Sequence, residues 1–200
     1  PVTKLGEEIL RQKAQPVPEV NDEIRKLAED MFDTMIEHDG VGLAAPQVGL
    51  GLRMYVLIAD DDIRRVFINP QIIATSEEIG DYDEGCLSLP KIYETIKRPV
   101  AVTVQALNEK GKPFTLEADG LLARIIQHEQ DHLEGIVFID RGDPDFAKKN
   151  RRTDEAPCRT CVGKGKRKSQ KGCKNRSEES GKKIGVIPNL FRNQDAESIS

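Results

Sequence analysis

Residues 126–135 read Ile-Gln-His-Glu-Gln-Asp-His-Leu-Glu-Gly, and this stretch decides the plan of the chain. Apolar residues in and before it recur at helical spacing, which predicts a helix that starts after an N-cap at Asp119. At about 3.6 residues per turn, His128 and His132 lie one turn apart on one face, with Glu129 beside them. Two imidazoles at that spacing can bind one transition-metal ion, and the carboxylate is placed to take a proton from an attacking water.

This helix has two plainer interpretations. One is a chance pair of surface histidines, which the low count of 3 histidines in 200 residues disfavours. A structural metal site is the other, but it normally has four protein ligands and no use for a neighbouring carboxylate. An open catalytic site keeps three protein ligands, so one more is needed here. Cys86 is the leading candidate, alongside many carboxylates, although a lone cysteine in an apolar setting usually packs in the core.

Residues 40–49 form a second unusual segment, Gly-Val-Gly-Leu-Ala-Ala-Pro-Gln-Val-Gly. Its small residues let the backbone approach a bound group closely. A phosphate-binding loop is disfavoured because no Lys-Ser/Thr pair follows, and the dinucleotide fingerprint is incomplete. With Gln47 as its uncharged polar side chain, the segment suits a wall that binds a peptide backbone or a developing oxyanion. A tight turn of small packing residues fits the spacing equally well.

The remaining pattern predicts an α+β fold. Asn21 is a suitable N-cap for an amphipathic N-terminal helix that ends near His38. From Met54 to Ala118 the apolar runs are short and separated by turn signals, which is typical of strands. Because no strand–helix–strand alternation occurs, we expect mainly antiparallel sheets packed around the central metal-binding helix. Turns are predicted at residues 60–62, at Asn69-Pro70 and at residues 108–113.

The net charge of −4 conceals two oppositely charged parts. Residues 1–146 hold 15 Lys and Arg against 28 Asp and Glu, a net charge of −13. Residues 147–200 hold 15 against 6, a net charge of +9, with few periodic apolar residues. Such a composition buries too little apolar surface to offset the entropy of folding. We therefore predict a folded catalytic domain over 1–146 and a disordered, basic, cysteine-containing tail over 147–200.

The composition also indicates the cellular compartment of the protein. Hydrophobic residues make up 38% of the chain and charged residues 32%. No apolar run approaches the roughly 20 residues of a membrane span, and we expect no secretory leader. Three of the 4 cysteines lie in the tail, and this distribution differs from the disulfide framework of a secreted protein. These features predict a cytoplasmic protein with neither a membrane nor DNA as a partner.

Three motifs taken together resemble the signatures of the peptide deformylase family. They are Gly-Val-Gly-Leu-Ala-Ala-Pro-Gln at 40–47, Glu-Gly-Cys-Leu-Ser at 84–88 and Gln-His-Glu-x-Asp-His at 127–132. Their order and separations are similar to those of the family, and the match spans roughly residues 1–140. The resemblance implies metal-dependent removal of the formyl group from the N-terminal formyl-methionine of nascent polypeptides, with release of formate.

The resemblance also implies roles for individual residues. The family's metal is usually Fe(II), and Zn, Ni or Co can replace it. Glu129 would take the proton of the water and pass it to the leaving amine. The side-chain amide of Gln47 and the backbone N–H of Leu87 would stabilise the oxyanion, and the backbone around Gly42 would hold the substrate extended. The metal ligands would be Cys86, His128 and His132.

The substrate's methionine side chain needs an apolar slot, for which we nominate Val41, Leu121 and Ile125. The aliphatic stem of Arg124 can border the same slot. Many relatives carry an arginine seven residues after the metal-binding cysteine, where it can contact the substrate backbone. This chain has Tyr93 there, a departure that bears on peptide docking and leaves the chemistry intact.

Two other functions compete with this interpretation. A zinc endopeptidase shares His-Glu-x-x-His but usually takes its third ligand downstream of the motif, whereas Cys86 lies upstream. An RNA-binding protein would place its function in the basic tail, but that leaves three converging motifs unexplained. The tail's charge is nevertheless suited to ribosomal RNA near emerging substrate.

The tail contains one further motif. Cys158-x-x-Cys161-x-Gly-x-Gly resembles one copy of the zinc-binding unit of DnaJ-type chaperones, which normally works in pairs. Cys173 is the only other cysteine of the tail, so these three cannot by themselves build a closed four-ligand zinc site.

Overall fold

The structure is a computed structural model that describes residues 1–146. This part of the chain contains two long α-helices, seven β-strands and three short 3₁₀ helices, and residues 144–146 are also helical. The 3₁₀ helices are Glu8–Arg11, Ala45–Val48 and Phe138–Asp140. The longer elements are α1 (Asp22–Glu37), β1 (Gly42–Ala44), β2 (Met54–Ile58), β3 (Arg64–Thr75), β4 (Ile79–Cys86), β5 (Leu89–Pro99), β6 (Ala101–Leu107), β7 (Pro113–Asp119) and α2 (Gly120–Leu133).

The strands form two sheets whose strand pairs are all antiparallel. The main sheet has five strands in the order β1-β2-β3-β6-β7, and β4 pairs with β5 in a separate two-stranded sheet. The predicted α+β class with mainly antiparallel sheets is therefore confirmed. The division into two sheets was not predicted, because alternation along one strand does not reveal which strand it pairs with.

The main sheet lies between the two helices. Successive side chains of a strand point to opposite faces, and β2 shows the consequence. Met54 and Val56 pack in the cluster that contains the buried side chains of α1. Tyr55 and Leu57 pack in the cluster that contains those of α2. Both faces of β2 are thus buried, which explains its unbroken apolar sequence.

Helix α1 forms for the reasons that its sequence suggests. The Asn21 side chain accepts a hydrogen bond from the Ile24 backbone N–H at 3.0 Å, as expected of an N-cap. Its apolar stripe places Met31, Phe32 and Met35 against the sheet, and all three are fully buried. Each such side chain contributes about 1.5–3 kcal/mol relative to exposure.

The prediction of a turn at Asn69-Pro70 is wrong. β3 continues through both residues, and its pairing with β6 shifts register there. Asn69 adopts a positive φ of 53°, and its side chain bonds both backbone groups of Val17 at 2.8 Å. The irregularity accommodates a proline that has no N–H to donate. The chain therefore bends within the strand without reversing.

The β4–β5 hairpin brings Cys86 to the site. Its turn consists of Leu87 and Ser88, because Cys86 pairs with Leu89. The hairpin packs against the chain after α2 through a small apolar cluster of its own. The fully or almost fully buried members of that cluster are Leu89, Ile96, Val137, Phe138 and Ile139.

No helix within residues 1–146 is long and apolar enough to cross a membrane. The predicted tail over 147–200, its predicted disorder and its three cysteines lie outside the described residues.

Candidate functional site

The three predicted metal ligands converge. His128 and His132 project from α2, and Cys86 faces them from the end of β4. One donor atom from each residue lies within 4.8 Å of the other two. The Cys86 sulfur is 3.2 Å from His132 Nε2, and the two imidazole rings meet edge to face at 5.1 Å. One thiolate and two imidazoles form a donor set that suits Fe(II), Zn, Ni or Co.

A buried carboxylate orients one of these histidines. Glu84 is fully buried, and its Oε2 lies 2.9 Å from His128 Nδ1. A hydrogen bond from that nitrogen leaves His128 Nε2 free to bind a metal ion. Glu84 also accepts hydrogen bonds from Arg98 Nε at 2.7 Å and from Arg124 Nη1 at 3.1 Å.

Arg98 links Glu84 to Asp131 on α2. We call the buried ion pairs of Glu84, Arg98, Arg124 and Asp131 the ion network. Arg98 Nη1 donates to Asp131 Oδ2 at 2.7 Å, and Asp131 also accepts from Arg141 Nη2 at 2.7 Å. Sequence reasoning assigned no role to Glu84, Arg98 or Asp131. A signal was present, because Arg98 follows Ile96 by two residues and therefore shares the buried face of β5. A charged residue at such a position requires buried partners.

The site favours a thiolate. Burial alone would raise the pKa of the Cys86 thiol, but His132 and His128 outweigh burial and hold that pKa well below its usual range. Cysteine binds metal ions in its deprotonated form. The electrostatics of the three side chains therefore agree with their geometry.

Glu129 lies beside the three predicted ligands and is almost fully buried. Burial raises the pKa of its carboxyl to about 7, against the opposing effect of His128 and His132. Its Oε2 atom is buried and has no hydrogen-bond partner among the described residues. Gly42 lies against the same carboxylate, and a Cβ atom at Gly42 would fall 2.3 Å from Glu129 Oε1. The missing side chain of Gly42 is therefore what makes room for Glu129.

Gln47 is held with its amide group toward the cysteine. Its Oε1 accepts a hydrogen bond from the Ala44 backbone N–H at 2.8 Å. Its Nε2 lies 3.4 Å from the Cys86 sulfur and 3.3 Å from the Ser88 hydroxyl oxygen. The 3₁₀ helix that carries Gln47 places it almost completely out of contact with solvent. The segment 40–49 thus contains a short strand and a helical turn.

A cavity of about 420 Å³ opens over these residues. Leu121 packs against the core cluster between the main sheet and α2. It is not among the described residues that line this cavity. Its place in the methionine slot therefore stays a prediction. Arg124 reaches the cavity while its guanidinium also donates to the Gly80 and Ile96 carbonyls. The lining includes the predicted site residues Val41, Gly42, Gln47, Cys86, Leu87, Arg124, Ile125, His128 and Glu129.

Tyr93 stands at the edge of this cavity. Its side chain is exposed, and its ring lies across Gly85, the residue opposite it in the hairpin. A Cβ atom at Gly85 would approach the ring to 2.6 Å. The aromatic ring therefore occupies the rim of the cavity.

Three convergent donors, a buried carboxyl and an open cavity are typical of metal-dependent hydrolases. The sequence model of the family described as Polypeptide deformylase matches residues 1–148. The chain is 52% identical to the peptide deformylase of Treponema pallidum over 139 residues, covering 70% of this chain and 85% of that protein. It is 54% identical to the peptide deformylase of Neisseria meningitidis over 142 residues, covering 70% and 84%.

Solved structures of peptide deformylases have a similar fold. The peptide deformylase of Synechococcus elongatus, in complex with actinonin, superposes with a TM-score of 0.72 at 40% identity, covering 79% of this chain and 87% of that one. The Thermotoga maritima peptide deformylase gives 0.69 at 39% identity, covering 72% and 97%. The chain belongs to the polypeptide deformylase family. It is a hydrolase that removes N-formyl groups from nascent peptides, which sets aside a zinc endopeptidase and an RNA-binding protein with an inert body.

Proposed function

We propose that the chain removes the formyl group of N-terminal formyl-methionine with the help of one divalent metal ion held by Cys86, His128 and His132. The convergence of these three donors within 4.8 Å carries the proposal. When bound, such an ion polarises a carbonyl and makes a strong nucleophile from water near neutral pH. The hydrogen bond that His128 Nδ1 donates to the Glu84 carboxylate supports the same assignment, because metal-binding histidines usually donate their other N–H to a carboxylate.

Glu129 is the proposed general base and acid. It accepts a proton as the water oxygen bonds to the formyl carbon, and it returns a proton to the amine nitrogen when the carbon–nitrogen bond breaks. The products are formate and a free N-terminal amine. A pKa near 7 suits a group that must both accept and donate at neutral pH.

Gln47 and Leu87 are the proposed donors to the oxyanion. The Gln47 Nε2 and the Leu87 backbone N–H flank Cys86 on different segments of the chain. The hydrogen bond between Gln47 Oε1 and the Ala44 N–H fixes the amide before substrate binds. Donors that need no reorganisation stabilise developing charge most effectively.

The same cavity is proposed to hold the start of the substrate. Val41 and Ile125 line it and, with Leu121 and the stem of Arg124, would form the methionine slot. The backbone around Gly42 would keep the substrate chain extended. Tyr93 at the rim would then contact the residues that follow methionine, in place of the arginine of many relatives.

Iron is the proposed resident metal. A thiolate ligand suits Fe(II) as well as Zn, Ni and Co, but a Cys–Fe(II) pair is liable to oxidation. The freshly purified Fe(II) enzyme should therefore lose activity in air, whereas the Ni(II) or Zn(II) form should keep it. Air-stable activity in a verified Fe(II) preparation would count against iron.

We further propose that the enzyme acts in the cytoplasm beside the ribosome, where its substrate emerges. The charge of +9 over residues 147–200 is suited to ribosomal RNA, and residues 1–146 form the catalytic domain. Deleting 147–200 should spare cleavage of a short formyl peptide and weaken ribosome co-sedimentation at low salt. Co-sedimentation that is unchanged by the deletion would remove this idea.

Metal dependence has a direct test. The chain is stripped with a chelator, dialysed and reloaded with Fe(II) under argon, Ni(II) or Zn(II), and formate release from a formyl-Met tripeptide is measured. We expect no release by the stripped chain and recovery at about one metal ion per chain. Full activity in a preparation free of metal would contradict the proposal.

A further inference from the structure

We propose that residues 3–5, which we call the N-terminal clamp, position the two donors to the oxyanion, with Lys4 as the main positioning residue. This inference rests on the proposed function, in which Gln47 and Leu87 are those donors. The two donors lie on segments that are 40 residues apart in the sequence. The clamp contacts both segments.

The backbone of the clamp joins the two segments directly. The Thr3 N–H donates to the Gln47 carbonyl at 2.7 Å. The Leu5 N–H donates to the Ser88 carbonyl at 3.0 Å, and the Leu5 side chain packs in the cluster that Cys86 contacts. Thr3 is buried although it lies near the start of the chain. Three consecutive residues therefore bridge the 3₁₀ helix of one donor and the hairpin turn of the other.

Lys4 acts on the second donor. Its Nζ donates to the Leu87 carbonyl at 2.8 Å, and its backbone N–H donates to Glu7 Oε1 at 2.9 Å. The Leu87 carbonyl and the Leu87 N–H belong to peptide planes that meet at one Cα atom. Holding the carbonyl therefore restricts the direction in which the N–H points.

The position of Leu87 in the hairpin explains why such a restraint is needed. Leu87 and Ser88 form the two-residue turn between β4 and β5. Hairpin tips are ordinarily the least constrained part of a sheet. An exposed lysine ammonium usually stays in water, whereas Lys4 donates to this turn and lines the cavity. The clamp thus supplies the preorganisation that an oxyanion site requires.

The test uses the full chain at matched metal content. Lys4→Met removes the donor and keeps the aliphatic stem, Lys4→Arg keeps a donor, and Lys26→Met makes the same charge change at an exposed site on α1. Loss of an oxyanion donor costs about 100- to 1,000-fold in kcat, and loosening one should cost less. We expect Lys4→Met to lower kcat about 10-fold with KM nearly unchanged, Lys4→Arg to recover most of that loss, and Lys26→Met to match wild type.

Amide hydrogen exchange over residues 86–89 gives a readout that does not depend on turnover. Lys4→Met should speed exchange there by about 5-fold, and Lys4→Arg should restore the wild-type rate. Exchange and kcat equal to those of Lys26→Met would overturn the clamp. So would a raised KM at unchanged kcat, because Lys4 would then bind substrate. A wild-type chain that releases no formate would contradict the proposed function, whereas faster exchange in Lys4→Met would still support the clamp.

Discussion

Replacing Gly42 with alanine tests whether the position of the Glu129 carboxylate controls turnover. The new Cβ atom would lie 2.3 Å from Glu129 Oε1 and 2.9 Å from Ile125 Cγ2. Carbon and oxygen atoms normally approach to no less than roughly 3.3 Å, so the carboxylate must move by about 1 Å. Displacing a reacting group by about 1 Å can cost roughly 100-fold in rate, or about 2.7 kcal/mol of transition-state stabilisation. We therefore expect kcat to fall about 100-fold.

The assay is formate release from a formyl-Met tripeptide, with metal content and melting temperature measured on the same preparations. Gly51→Ala is the matched control, because a Cβ atom there would meet only Ile9 Cδ1 at an ordinary 3.6 Å. Its kcat should equal that of wild type. A Gly42→Ala variant that binds its metal ion and turns over at the wild-type rate would refute the reasoning about Glu129.

The ion network gives three further predictions. Burial raises the pKa of Glu84, but His128 and Arg98 outweigh it, so the folded pKa lies below the ordinary 4.5. The ionised group therefore stabilises the fold above pH 4.5 and loses this effect as pH falls toward the folded pKa, by about 1.4 kcal/mol per pH unit. Urea unfolding between pH 5 and 3 should show a steeper loss in wild type than in Glu84→Gln, and parallel curves would contradict this. Glu84→Gln should also weaken zinc affinity about 10- to 100-fold in a chelator competition, and unchanged affinity would argue against its orienting role. Arg98→Met should cost about 3–5 kcal/mol in chemical denaturation because Glu84 and Asp131 lose a buried partner, and a loss below about 1 kcal/mol would count against the network.

Helix α2 could be predicted from the sequence because its signal is local. Helical periodicity placed His128 and His132 on one face, and short-range cap chemistry placed the start of α1 at Asn21. The meeting of Cys86 with these histidines is a long-range contact. No periodicity encodes this contact. The residues alone leave the third ligand open between Cys86 and many carboxylates, and only the resemblance to a known family implies Cys86.

The parts that could not be predicted depend on contacts between distant segments. Arg98 and Glu84 are charged residues whose burial makes sense only once β5, β4 and α2 have come together. Asn69-Pro70 resembles a turn in its local sequence, but the two hydrogen bonds between the Asn69 side chain and the Val17 backbone hold it within a strand. Tertiary contacts override the local turn signal at Asn69-Pro70, and they supply the buried partners of Arg98 and Glu84.

Glu129 is proposed to work with three converging metal ligands to hydrolyse a formyl amide. Formate release from a formyl-Met tripeptide, compared between wild type and Glu129→Ala at equal metal content, tests this proposal most directly. We predict rapid release by wild type and a rate lower by roughly 100- to 10,000-fold in the variant. An unchanged rate in metal-loaded Glu129→Ala would contradict the mechanism.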